Sequence, residues 1–173
     1  MCGWLVVAAL AFACDPAPTA GPAPTLVSAL STTKASGLVA CSQSYDSVTQ
    51  VVGPKGGYLA VGPHYLAVDS LALSDTVRIT AVAPAGMVRW VRFRPDGLVF
   101  RTTRDGWSAL LYTTYQDCAV PITETPRVAQ VDDALRILGY LKPSTKAKKS
   151  PWSQSTPYVV GLLQHFSNYA VGW

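Results

Sequence analysis

The side chains with the most chemical potential in this chain are its cysteines and histidines. They stand at Cys2, Cys14, Cys41, Cys118, His64 and His165. No two cysteines form a CxxC pair and the histidines lie far apart, so the spacing does not favour a zinc site. We expect no metal and no cofactor. His64, in the Gly-Pro-His turn, is interpreted as a solvated polar residue.

Two further patterns suggest chemistry but are better explained as turns. Adjacent carboxylates at Asp132 and Asp133 could serve acid–base catalysis, yet neighbouring strand residues point to opposite faces. The glycine-rich residues 53–57 lack the GxxxxGK[ST] spacing of a phosphate-binding loop. Since no nucleophile, base and acid stand together as a recognisable set, the sequence favours a non-catalytic protein.

Arginines are concentrated around one tryptophan. The members of this cluster are Trp90 with Arg89, Arg92, Arg94, Arg101 and Arg104. Charge and ring stacking there would suit a polysaccharide or an anionic polymer. We favour the alternative of a solvated sheet face whose arginine stems cover apolar surface. The formal net charge of +4 is too small to predict nucleic-acid binding.

The N-terminal residues predict export. Residues 4–13, WLVVAALAFA, have the length of a signal-peptide core and are too short to span a bilayer. Residues 10–14, LAFAC, resemble a bacterial lipobox, which implies cleavage of residues 1–13 and acylation of Cys14. The alternative is ordinary secretion after cleavage near Ala13 or Ala20. We expect a membrane-anchored protein of the cell envelope, held through Cys14, rather than a freely secreted one.

The remaining chain predicts a tether followed by one all-β domain. Residues 14–47 are rich in Pro, Ser, Thr and Ala, which suits a semi-rigid spacer, although a first strand near residues 38–41 is an alternative. Residues 48–173 contain short β-branched and aromatic runs separated by Gly-Pro, Gly-Gly and Pro-Asp-Gly turns. This spacing predicts an antiparallel β-sandwich. With 49% hydrophobic and 14% charged residues, disorder is excluded.

Several motifs of the predicted domain resemble the ZU-five domain of zonula occludens proteins, netrin receptors and ankyrins. They are VGPxGG at residues 52–57, LAL at 71–73 and VxIT at 77–80. The family's usual Pro-Pro-Gly is replaced here by Asp69-Ser70-Leu71. The chain also resembles bacterial envelope proteins through VGPH at 61–64, VRFxPxGLxF at 91–100 and HFSxYAVxW at 165–173. The resemblance implies a β-sandwich that serves as an interaction or structural module, with an unknown protein or envelope polymer as partner.

His165-Phe166-Ser167 is the best candidate for chemistry. The triplet is similar to the sites at which an autoproteolytic nucleoporin and a death-domain scaffold with ZU-five domains cleave themselves. That resemblance implies attack of Ser167 on the Phe166 carbonyl, with His165 moving the proton. The alternative is that Phe166 packs in the core. Because no oxyanion donors are identifiable in the sequence, we predict that the chain stays intact at this site.

Export also predicts a disulfide. Once the signal peptide is removed and Cys14 is acylated, Cys41 and Cys118 are the remaining thiols, and they meet an oxidising compartment. Closing the loop between them is worth roughly 4.5 kcal/mol at most in the chain-entropy model. The placement of Cys41 in the predicted tether works against this pairing.

Overall fold

The structure is a computed structural model that describes residues 37–104, 106–144, 151–153 and 155–173. The described chain is built from strands. In order they are β1 (Ala40–Gln43), β2 (Asp46–Val52), β3 (Gly57–Val61), β4 (His64–Val68), β5 (Val77–Ala83), β6 (Gly86–Val88), β7 (Trp90–Arg94), β8 (Ala109–Thr114), β9 (Arg127–Val131), β10 (Ile137–Tyr140), β11 (Tyr158–Leu163) and β12 (Asn168–Gly172). The predicted signal peptide, the acylation site Cys14 and the tether as far as residue 36 lie outside these residues.

Two large antiparallel sheets carry the fold. The first has the strand order β10-β9-β12-β7-β5-β2, and the second has the order β11-β8-β4-β3. A short pair, β1 with β6, forms a third sheet. The predicted all-β, antiparallel sandwich is confirmed.

The core lies between the two large sheets because their strands alternate. On β7, Val91 and Phe93 are fully buried, while the other three side chains face outward and stay half-buried. Leu66 of β4 and Leu111 of β8 enter the same buried cluster from the opposite sheet. Burying such side chains stabilises the fold by roughly 1.5–3 kcal/mol each.

The domain starts before the predicted boundary at residue 48. Leu38 and Val39 are buried, and β1 and the first residues of β2 lie within the segment assigned to the tether. Val39 N donates to Val171 O at 3.0 Å, and Trp173 N donates to Gly37 O at 2.8 Å. Residues 37–47 therefore belong to the sandwich, because their apolar residues pair with and pack beside the C-terminal strand.

Residues 86–94 are divided between two strands. β6 and β7 are separated at Arg89, and the two strands belong to different sheets. The interruption lets the Arg89 side chain enter the protein. No helix within the described residues is long and apolar enough to cross a membrane.

Candidate functional site

The predicted binding surface is the outward side of β7. Trp90, Arg92 and Arg94 lie there because Val91 and Phe93 occupy the core side of the same strand. The guanidinium carbon of Arg92 lies 5.4 Å from the centroid of the Trp90 ring. We call Trp90, Arg92 and Arg94 the arginine face.

Both arginines of the arginine face have carboxylate partners. Arg92 Nη2 lies 2.5 Å from Asp133 Oδ1, and Arg92 Nε donates to Asn168 Oδ1 at 3.2 Å. Arg94 forms an ion pair with Asp96. These pairs offset the positive charge that an anionic polymer would require. The geometry therefore argues against anionic-polymer binding at this face.

The arginine cluster of the sequence is divided among different environments. Arg101 and Arg104 line a separate cavity of about 360 Å³ beside Asp69 and Leu71. Arg89 does not share the face of Trp90 but is buried, with an exposed fraction of 9%. Sequence proximity thus grouped residues that the fold keeps apart.

Arg89 is held by backbone carbonyl groups. Its Nη1 donates to Thr114 O at 2.8 Å and to Gln116 O at 3.0 Å, and its Nη2 donates to Ser42 O at 3.2 Å. Burial lowers the pKa of Arg89 below its ordinary value, and the charge of Asp117 opposes this effect. Arg89 therefore stabilises the fold at this junction, because its Nη donors are directed into the protein and not toward the face of Trp90.

A disulfide lies at the same junction. Cys41 of β1 and Cys118 are bonded in the structure, with their Cα atoms 4.5 Å apart. The pair joins residues 77 positions apart in sequence. Cys41 reaches its partner because β1 belongs to the sandwich rather than to the tether.

His64 is buried, and its interpretation as a solvated turn residue is wrong. It is 1% exposed, with Nδ1 3.0 Å from Thr113 Oγ1 and Nε2 3.0 Å from Gln43 Oε1. Gln43 Nε2 in turn donates to the carbonyls of Pro84 and Trp90, each at 2.8 Å. Burial, assisted by the charge of Arg89, lowers the pKa of His64 to about 3. The neutral imidazole is thus part of a hydrogen-bonded interior network.

Phe166 of the predicted self-cleavage triplet is a core residue. It is 1% exposed, and its ring stacks on Phe93 with centroids 4.9 Å apart. Phe100 meets it edge-on at 5.1 Å. The backbone is paired as well, since Phe166 N donates to Leu98 O at 2.8 Å. These contacts correspond to the alternative in which Phe166 serves packing.

The groups around the bond between Phe166 and Ser167 have a defined arrangement. The carbonyl oxygen of Phe166 accepts a hydrogen bond from Gly97 N at 3.2 Å and lies 3.1 Å from His165 Nδ1. Ser167 Oγ accepts from Gln130 Nε2 at 3.2 Å. The contact seen for the His165 ring is therefore with the carbonyl group, not with the hydroxyl group from which it was predicted to take a proton. Two donor positions surround the carbonyl oxygen, a feature that the sequence did not reveal.

A row of aromatic rings on the second large sheet was not predicted. Its members, which we call the aromatic row, are Tyr58, Tyr65, Tyr112, Tyr158 and Trp152. Successive ring centroids are 5.6, 6.1, 6.0 and 6.0 Å apart. Strand alternation assigns each of the four tyrosines to one face of its own strand. The strand order β3-β4-β8-β11, which the sequence does not show, brings them together.

The described residues contain no group of three or more His, Cys, Asp or Glu side chains arranged to hold a metal ion. No protein family and no curated protein sequence matches this chain.

Proposed function

We propose that this protein is a non-catalytic component of the cell envelope that is exported, anchored through an acylated Cys14, and acts as a binding or scaffold module. The apolar segment ending at Ala13-Cys14 and the Pro-rich residues after it support export and anchoring. The antiparallel sandwich supports a module whose rigid sheets present side chains to a partner. The partner is a protein or a polymer of the envelope.

The observation that carries the non-catalytic proposal is the packing of the His165-Phe166-Ser167 segment. Phe166 is enclosed by Phe93 and Phe100, and Phe166 N is paired with Leu98 O at 2.8 Å. Its neighbour Ser167 accepts a hydrogen bond from Gln130. The triplet is thus explained by stability alone, because Phe166 packs on β7 and on the segment of residues 97–100, and Ser167 is bonded to Gln130 of β9.

The resemblance to the ZU-five domain is supported by a backbone detail. Leu71 stands where that family usually has the glycine of Pro-Pro-Gly, and its φ is 66°. Bulky residues rarely adopt this left-handed conformation, whereas glycine adopts it readily. The turn at Leu71 therefore has a backbone geometry that suits glycine.

The anchor is tested by fractionating a bacterial host that expresses the full chain. The wild-type protein should sediment with membranes, and Cys14→Ala should lose its processing and its lipid anchor. Cys2→Ala is the matched control, because Cys2 lies in the segment that is removed. Equal processing and equal membrane association of Cys14→Ala would refute the anchor.

A second candidate function is self-cleavage between Phe166 and Ser167, and the two donor positions at the Phe166 carbonyl favour it. In this reaction Ser167 Oγ bonds to the carbonyl carbon, the Phe166–Ser167 amide bond breaks, and the hydroxyl proton passes to the leaving nitrogen. The product is an ester with a free Ser167 amine. Water then hydrolyses this ester, which leaves the Phe166 carboxylate and frees residues 167–173. Gly97 N, and His165 Nδ1 when it carries a proton, would stabilise the oxyanion that develops. Backbone strain lends no support, because the non-glycine residues of positive φ in the described chain are Leu71, Asp117 and Leu135.

Hydroxylamine distinguishes the two functions, because it cleaves esters but leaves amides intact. The folded protein is incubated with hydroxylamine, then denatured and weighed by mass spectrometry. Release of a peptide of residues 167–173 from the wild type but not from Ser167→Ala would establish self-cleavage. An intact mass for both proteins supports the non-catalytic function.

A further inference from the structure

The outward positions of the four described strands of the second large sheet carry aromatic rings and no charged side chain. The aromatic row crosses all four strands of this sheet, from Tyr58 on β3 to Tyr158 on β11, and ends at Trp152. The other outward positions of these strands hold Ala, Thr, Leu and Val. This face therefore differs from the arginine face, whose charged side chains already have charged partners.

The rings of the row differ in exposure. Tyr112 is 2% exposed and lies beneath its neighbours, where it contacts Tyr65 and Tyr158. Tyr58 is 62% exposed, and Tyr65, Tyr158 and Trp152 are half-buried. The buried Tyr112 ring thus supports Tyr65 and Tyr158, and Tyr58 and Trp152 pack on those two rings in turn. The row is therefore ordered without a ligand and loses little entropy when it binds one.

We propose that the aromatic row binds a neutral polysaccharide chain. The face of a tyrosine ring carries partial negative charge and attracts the polarised C–H groups on the flat side of a sugar. The phenol hydroxyl provides a hydrogen-bonding group at the end of the same side chain. A polymer without charge suits the described outward strand positions, none of which is charged. A row that crosses the sheet suits an extended chain rather than a single sugar.

The hydroxyl groups of the row are suited to this role. Burial raises the pKa of Tyr65 above its ordinary value, and the neighbouring Tyr58 contributes to the shift. This shift favours the protonated Tyr65 phenol, which can donate to a sugar oxygen. The inference rests on the proposed function, because an exported and anchored module is placed beside envelope polysaccharides.

The test is co-sedimentation of residues 15–173, which contain every described residue but lack the apolar signal segment and the acylation site, with insoluble cellulose, chitin and a neutral mixed glucan. We expect retention on at least one of them. Tyr58→Ala should weaken binding about tenfold, the effect of losing one ring contact. Tyr58→Phe keeps the ring and should stay within about threefold of the parent. The matched control is Trp90→Ala, which removes a half-buried ring from the opposite sheet and should leave binding unchanged.

The outcomes decide the proposal. The exposure of Tyr58 makes Tyr58→Ala a mild change for folding, and a thermal melt equal to that of the parent verifies this. Three results would overturn the polysaccharide proposal. They are no retention on any neutral glycan, unchanged binding of Tyr58→Ala, and a loss of binding in Trp90→Ala equal to that in Tyr58→Ala. Sedimentation with phosphatidylcholine vesicles instead of glycans would assign the row to a membrane surface and also overturn it. Failure here leaves the fractionation result for Cys14 unaffected, so the two proposals fail separately.

Discussion

Arg89 and Arg92 are three positions apart in sequence but lie in regions of opposite character. Arg89 belongs to a buried polar junction, together with Gln43, His64 and the disulfide of Cys41. Arg92 belongs to the arginine face, where it pairs with a carboxylate that is 79% exposed. The difference shows that an arginine near a sheet can have either of two roles. It can stabilise the fold by donating to backbone carbonyl groups, or it can pair with a carboxylate at the surface. Burial of the side chain distinguishes these two roles.

The largest effect should come from removing Arg89. Arg89→Met leaves three backbone carbonyls in a partly buried site without their donors, so we expect the free energy of unfolding to fall by about 3 kcal/mol. Urea denaturation measures this loss. Arg94→Met is the control and should change the free energy by less than about 0.5 kcal/mol, because its side chain is exposed. Similar losses for the two variants would show that Arg89 does not belong to a distinct buried junction.

The sequence predicted the parts of the molecule that depend on alternation. Residue spacing puts Val91 and Phe93 on one face of β7, and the structure shows that this face is the buried one. The position of Arg89 did not follow, because a break between two strands that enter different sheets leaves no periodic signal. The prediction that His64 is solvated was wrong for a related reason. A Gly-Pro-His turn looks solvated until β1 and β8 supply Gln43 and Thr113 as partners.

His64 makes the stability of the buried junction depend on pH. Its pKa is lowered to about 3 in the folded protein, against 6.5 as the ordinary value. The unfolded chain therefore binds a proton first as the pH falls. Stability is fully present above about pH 6.5 and declines toward pH 3, by at most about 1.4 kcal/mol per pH unit.

The pH effect is measured by urea denaturation between about pH 6 and pH 5, above the range in which most carboxylates titrate. His64→Gln should remove most of the slope, whereas His165→Gln should retain it. A slope that survives in His64→Gln would mean that His64 is not buried as a neutral group.

The smallest effect should lie on the arginine face. A double-mutant cycle with Arg92→Met and Asp133→Asn should give a coupling energy of about 0.2–1 kcal/mol, because one partner is largely exposed. The coupling should weaken as salt is added. A coupling as large as the Arg89→Met loss would contradict the distinction between the two regions.

The intact mass of the mature protein from an exporting bacterial host tests the central claim most directly. The account predicts one uncut chain that begins at an acylated Cys14 and is lighter by the two hydrogens that the disulfide between Cys41 and Cys118 removes. A chain without lipid, or a separate peptide of residues 167–173 under denaturing conditions, would contradict it. The first result would refute the anchored module, and the second would make this a self-processing protein.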